Sequence, residues 1–241
     1  MKGRMSMSSS RWSLRTVPNV LAALTLLFTG GASLMASPAV AASATDDAAD
    51  CSPVAIDESE WEDYGLVGRR SYESPQFGIT AEWDRTWAVD EEAQYPIESN
   101  EDCQYDVIRL IWEDGDLYGL LVLNFGMPED VEAMDELVDG WSSKTFLRDN
   151  WADGFTGEVA VADADDTTAE AVFSVVRDED DAQFFVTYRT VALSKDTWLY
   201  VTFTTDEASF ADAWAALDEG VQVDGEPVPA VLTWRQIDRA I

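Results

Sequence analysis

The chain has 241 residues, with 15 lysines and arginines against 47 aspartates and glutamates, no histidine and two cysteines, for a formal charge of −32. Without histidine there is no Ser-His-Asp or Cys-His nucleophile, no imidazole acid or base, and no histidine zinc ligand. Two cysteines are too few for a thiolate zinc site or an iron–sulfur cluster. The remaining reading is a strongly acidic globular domain.

Residues 1–41 read as a secretory signal of the Sec type. Lys2, Arg4, Arg11 and Arg15 form a basic start, Val20 to Leu34 an apolar stretch, and Ala39-Val40-Ala41 a small-residue cleavage pattern. No twin arginine lies in the basic start and no cysteine follows the apolar run, so neither twin-arginine export nor a lipid anchor is expected. Thr29, Gly30 and Gly31 interrupt the run, which disfavours a retained membrane span.

Cleavage after Ala41 leaves 11 basic residues against 47 acidic ones, a charge of −36, with Lys144 and Lys195 as the remaining lysines. Such a surface repels nucleic acid and anionic lipid and attracts cations. It fits an exported protein of saline media as well as it fits an acidic recognition face. Cys51 and Cys103 both fall in the exported part, where a single disulfide is favoured. It would close a loop of about 50 residues, for roughly 4 kcal/mol in the chain-entropy account.

Residues 42–70 are expected to be an acidic, partly disordered leader. Order is expected from about Tyr64. Ser74-Pro75-Gln76-Phe77-Gly78 marks a turn, and Ile79 to Trp83 alternates in the two-residue period of a half-buried strand, followed by Trp87 to Val89. Val107 to Trp112 and Leu117 to Phe125 flank Glu113-Asp114-Gly115-Asp116, a hairpin signal. Pro128 is read as opening a helix, with Glu129, Asp130 and Glu132 at its N-terminus and Val131, Met134, Leu137, Val138 and Trp141 on one face.

Four period-two stretches follow, Glu158 to Ala162, Glu170 to Arg177, Gln183 to Leu193 and Thr197 to Thr204, which predict an antiparallel meander. Thr204 and Glu207 are read as a capping pair for a second helix carrying Phe210, Trp214, Leu217 and Val221. A turn at Val223 to Pro227 ends the domain, and residues 227–241 form a C-terminal tail whose Leu232, Trp234 and Ile237 can pack back. The expected architecture is α+β, an antiparallel sheet layered with two helices over 71–226.

Tyr72-Glu73-Ser74-Pro75-Gln76-Phe77-Gly78-Ile79 followed by Trp83-Asp84-Arg85-Thr86-Trp87-Ala88-Val89 resembles the opening of exported bacterial PsbP-like modules. The resemblance covers Tyr72 to about Pro227. It implies the fold shared by a photosystem II extrinsic protein, a eukaryotic Ran-binding protein and LpqN-type secreted lipoproteins, whose members are mostly binding or assembly factors. It carries over no catalytic motif, and the metal contacts of some members include histidine, absent here.

Asp163, Asp165 and Asp166 are the most ligand-like carboxylates, offering the oxygens that Ca²⁺ prefers, although their spacing is not that of an EF-hand and a solvated turn is the alternative. Trp61, Trp151 and Trp234 lie in irregular segments and are the aromatics expected to be exposed for contact with a protein or glycan. Paired carboxylates could serve glycoside hydrolysis, but with 47 acidic residues no pair stands out. No Asp-Thr-Gly, Gly-x-Ser-x-Gly or glycine-rich phosphate loop occurs. The expectation is an exported monomer without cofactor, binding an unidentified protein or glycan, with a carboxylate-dependent hydrolase and a divalent-cation binder as alternatives.

Overall fold

The computed structural model describes residues 56–101, 103–128, 131 and 133–241. The signal segment, the Ala41 cleavage position, Cys51 and three acidic residues of the expected helix start, Glu129, Asp130 and Glu132, lie outside them. The strands are β1 (Leu66–Val67), β2 (Ser71–Glu73), β3 (Thr80–Trp83), β4 (Trp87–Val89), β5 (Ile97–Asn100), β6 (Tyr105–Asp114), β7 (Leu117–Gly126), β8 (Phe155–Ala164), β9 (Thr168–Arg177), β10 (Gln183–Ala192), β11 (Trp198–Asp206), β12 (Val221–Val223) and β13 (Glu226–Pro227). The α-helices are α1 (Met134–Trp141), α2 (Lys144–Asp149), α3 (Phe210–Gly220) and α4 (Trp234–Ile237). The fold is α+β.

Two antiparallel sheets form. The larger runs β4-β6-β7-β11-β10-β9-β8, with β5 also paired to β6, and the smaller runs β1-β2-β3-β12-β13. The larger sheet contains the hairpin β6-β7 that Asp114-Gly115 predicts: Asp114 pairs with Leu117, and Gly115 takes the left-handed φ of +68° that the tight turn requires. The last four long strands form the expected meander, joined to the hairpin because β11 pairs with β7.

The period of two sorts side chains onto the two faces of the large sheet. Leu121, Leu123, Phe125, Val172, Phe185, Leu199, Val201 and Phe203 point to one face, where they meet α3 and the small sheet. Ala171, Phe173, Val175, Val186 and Trp198 point to the other, under Met134, Leu137 and Trp141 of α1 and Trp151. The small sheet is anchored by Tyr72, whose ring stacks on Phe125 at 6.3 Å.

Several boundaries differ from the sequence expectation. The first helix spans Met134–Trp141 rather than opening at Pro128. A break at Ser142 and Ser143 follows, and Ser143 caps α2 by accepting from the Phe146 N–H. Thr204 and Glu207 do not cap α3: Thr204 is still in β11, and Asp206 accepts from the Ser209 N–H at 2.8 Å. A reciprocal capping box forms instead at Thr233 and Gln236.

Both ends of the domain extend further than the composition predicts. Trp61 and Leu66, in the expected leader, pack into the core, and Val228, Leu232 and Ile237, in the expected tail, are buried there. A weakly apolar segment is legible as a leader or tail only if its few large side chains find no pocket, and here they do.

Candidate functional site

The buried charges fall into three groups, each built from a charged residue placed on a packed face of a strand. Asp106 of β6 is fully buried. Its Oδ2 accepts from the Ser74 hydroxyl and from the Gln76 N–H at 2.9 Å. Its Oδ1 accepts from Gln76 Nε2 at 2.7 Å and from Ser99 Oγ at 2.6 Å. The turn read from Ser74 to Gly78 is thus wrapped around one carboxylate, which supplies the acceptors that buried donors require. Burial first, and then the Asp106 charge, push the Tyr72 hydroxyl well above the ordinary tyrosine range.

Glu170 of β9 and Arg189 of β10 are direct cross-strand partners, and both side chains are inaccessible to solvent. Glu170 Oε1 accepts from Arg189 Nε at 2.8 Å and lies 2.7 Å from Nη2. Its other oxygen accepts from the N–H groups of Val231 and Leu232 at 3.0 and 2.9 Å. The Arg189 guanidinium lies 5.3 Å from the Trp214 ring centre and 3.6 Å from Asp218 of α3. Burial raises the Asp218 pKa against the opposing pull of Arg189.

On the opposite face of the large sheet, Arg109 of β6 pairs with Glu98 of β5, both almost fully buried. The Arg109 guanidinium also donates to the Tyr95 carbonyl, while its backbone accepts from the Asp90 N–H at 3.0 Å. Burial raises the carboxyl pKa of both Asp90 and Glu98, opposed in each by the Arg109 charge.

The oxygens of Asp106 and Glu170 are engaged by hydroxyls, amides, backbone N–H groups and a guanidinium, and Glu98 is ion-paired with Arg109. Their chemistry is that of fixed internal partners. None of Asp106, Glu170, Arg189, Glu98 or Arg109 is among the site residues expected from sequence. The signal that finds Glu170 and Arg189 is a charge at a core-facing phase of two adjacent meander strands.

The expected calcium ligands do not converge. Asp165 Oδ1 accepts from the N–H groups of Thr167 and Thr168, each at 2.8 Å, which holds the β8–β9 turn and lowers its pKa. Asp163 instead faces the Ala164 N–H and the side chain of Gln236, and Asp166 is exposed. Among the described residues no group of three or more histidine, cysteine, aspartate or glutamate side chains is arranged to hold a metal ion.

The aromatic expectation is corrected for two of its three residues. Trp61 and Trp151 are each 8% exposed. Trp61 Nε1 donates to the Ile56 carbonyl, so the segment folds its own ring inward. Trp151 packs edge-on against Phe173 at 5.4 Å, in space that exists because residue 157 is glycine: a Cβ there would come 2.2 Å from the ring. Trp234 is 37% exposed, with its ring 5.7 Å from Phe210. Cys103 is disulfide-bonded. No helix among the described residues is long and apolar enough to cross a membrane.

No protein-family model matches the chain, and no curated protein matches it. Among solved structures it is similar to the Ran-binding protein Mog1p of Saccharomyces cerevisiae, with 10% identity and a TM-score of 0.36 over 63% of this chain and 85% of that one. It is similar also to a point mutant of the protein Mog1, with 10% identity and a TM-score of 0.36 over 62% of this chain and 85% of that one.

Proposed function

We propose that the chain is an exported, non-catalytic binding or assembly module with PsbP-like architecture, acting at or outside the cell envelope. The observation that carries the reading is the use made of the buried charges. Asp106 is held by Ser74, Gln76 and Ser99, Glu170 by Arg189 and two backbone N–H groups, and Glu98 by Arg109. A general acid or base must have a face open to substrate and a proton free to move, and these groups are closed in by architecture. The remaining carboxylates form a dispersed field, suited to solubility and to selecting partners by charge. The signal segment supports export, and the motif from Tyr72 to Val89 supports the architecture.

The test is a turnover screen of residues 42–241 against chromogenic glycosides, esters and a general protein substrate. The expected result is no hydrolysis above buffer. Hydrolysis that disappears when one aspartate or glutamate is replaced, with the fold retained, assigns the chain to the carboxylate-dependent hydrolases instead.

A further inference from the structure

The strands that end the two sheets are not alike. β1 and β13 of the small sheet have two residues each, and one side of the large sheet ends in β4 of three residues and β5 of four. Strands this short leave little backbone for another chain to pair with. β8, at the opposite side of the large sheet, has ten residues. It pairs with β9, and among the described residues no other backbone group bonds to it over residues 156–164. No lysine, arginine or proline, the residues that commonly blunt such an edge, occurs over residues 150–176. The bulge between Val159 and Val161 leaves residues 155–159 as an unbroken run.

The two faces of that run differ. Phe155 and Val159 belong to the core under α1 and α2, yet both are only half-buried, at its open rim. On the other face Thr156 and Glu158 are exposed, and Asp178 stands 3.3 Å from the Thr156 hydroxyl. Among the described residues Glu158 takes part in no ion pair. The elements packed against β8 bring little positive charge to it. Arg177 of β9 is held by Asp180 and Arg148 of α2 by Asp149. Lys144 begins α2 and Arg235 lies on α4, while α1 carries three acidic residues and no basic one.

An extended segment laid against this edge makes backbone hydrogen bonds to β8 and sends alternate side chains to the two faces. Those beside Phe155 and Val159 meet the rim of the core, and those beside Thr156 and Glu158 meet carboxylates. Deepening the binding reading above and resting on it, we propose that the outer edge of residues 155–159 pairs with an extended segment of a partner protein in which apolar and basic residues alternate. The apolar residues complete the cover over Phe155 and Val159, and a lysine or arginine pairs with Glu158. A second copy of the chain does not meet this requirement. Its own β8 brings another Glu158 to the acidic face, on a chain of formal charge −32.

The test follows the anisotropy of a short fluorescein-labelled peptide of alternating valine and lysine added to residues 42–241, in about 0.15 M NaCl, where charges beyond roughly 8 Å are screened. Two N-methylated isomers of the peptide, each with the amides of one edge blocked, separate backbone pairing from attraction to the negative field. Saturable binding is expected for the parent peptide and for one isomer, with the other weaker by about tenfold or more. Glu158→Lys is expected to weaken the parent peptide by about tenfold or more without lowering the melting temperature, because residue 158 is exposed. Hydrogen exchange of the β8 amides is expected to slow in the complex. Absence of saturable binding, equal binding by both isomers, or affinity indifferent to Glu158→Lys overturns the proposal. A wild-type dimer in sedimentation whose β8 amides are already protected assigns the edge to a second copy of the chain and likewise overturns it. Each of these results leaves the non-catalytic reading intact, since that reading falls only to turnover.

Discussion

Glu170 and Arg189 face each other across β9 and β10 with no access to solvent, and Glu170 also grips the Val231 and Leu232 N–H groups. One carboxylate therefore fastens the C-terminal segment to the centre of the sheet. Removing it leaves a buried guanidinium with only the more distant Asp218, at 3.6 Å, and two orphaned N–H groups, the costly way to break a buried pair. Glu170→Ala is expected to lower stability by about 3–5 kcal/mol in urea unfolding. Glu170→Gln, which keeps an acceptor for the backbone, is expected to cost less. Equal stability of wild type and Glu170→Ala would contradict the assignment.

Asp106 is the corresponding fastener for the N-terminal motif. Asp106→Ala strips the acceptors from Ser74, Gln76 and Ser99 and is expected to cost at least about 2 kcal/mol, since each bond to a charged group contributes about 1.5–3 kcal/mol. The loss is read from the shift in denaturation midpoint at unchanged slope.

Gly157 is expected to resist substitution for a different reason. Its hydrogen leaves room for the Trp151 ring, which a Cβ would approach to 2.2 Å. Gly157→Ala is expected to destabilise by about 1–3 kcal/mol through overpacking, accompanied by a change in tryptophan fluorescence as Trp151 moves. A neutral variant with an unchanged spectrum would mean that the ring has another place to go.

Burial raises the carboxyl pKa of Asp90, Glu98 and Asp218. A carboxyl whose folded pKa lies above its unfolded one holds its proton more tightly when folded, so stability falls as pH rises between the two values. Acidification from pH 7 to about 5, just above the ordinary carboxylate range, is therefore expected to raise the melting temperature, an effect to which the shrinking net charge adds. At lower pH the groups held down by hydrogen bonds, Asp165 among them, take up protons and reverse the trend. A melting temperature that falls steadily from pH 7 would contradict these shifts.

The acidic exterior is expected to behave as a field and not as an ion site. Raising NaCl from low to molar concentration should raise the melting temperature as repulsion is screened. Calcium chloride at matched ionic strength should do no more, because Asp165 is committed to its own turn. A calcium-specific rise would promote Asp163, Asp165 and Asp166 to a site.

Local chemistry made much of this fold legible. Asp114-Gly115 fixed a hairpin, and strict alternation gave the meander, because a half-buried sheet imposes its period on every residue. The short strands β1, β2 and β5 carry too few residues to show a period. Their existence follows from long-range pairing, such as Ser71 with Glu82 and Ile97 with Ile108. The burial of Trp61 and Trp151 was hidden for the same reason, since an irregular segment tells nothing of the pocket it meets. Glu170 and Arg189 were visible as charges in apolar phase, yet only the cross-strand register shows that each answers the other.

The central claim is that the carboxylates of this chain hold the fold and set its field but perform no hydrolysis. The most direct measurement is turnover by residues 42–241 and by the variants Glu98→Gln, Asp106→Asn and Glu170→Gln, with the melting temperature of each. The expected result is loss of stability in the variants and no hydrolysis by any protein, wild type included. Wild-type turnover, abolished by replacing a single acidic residue in a variant that melts like wild type, would contradict it.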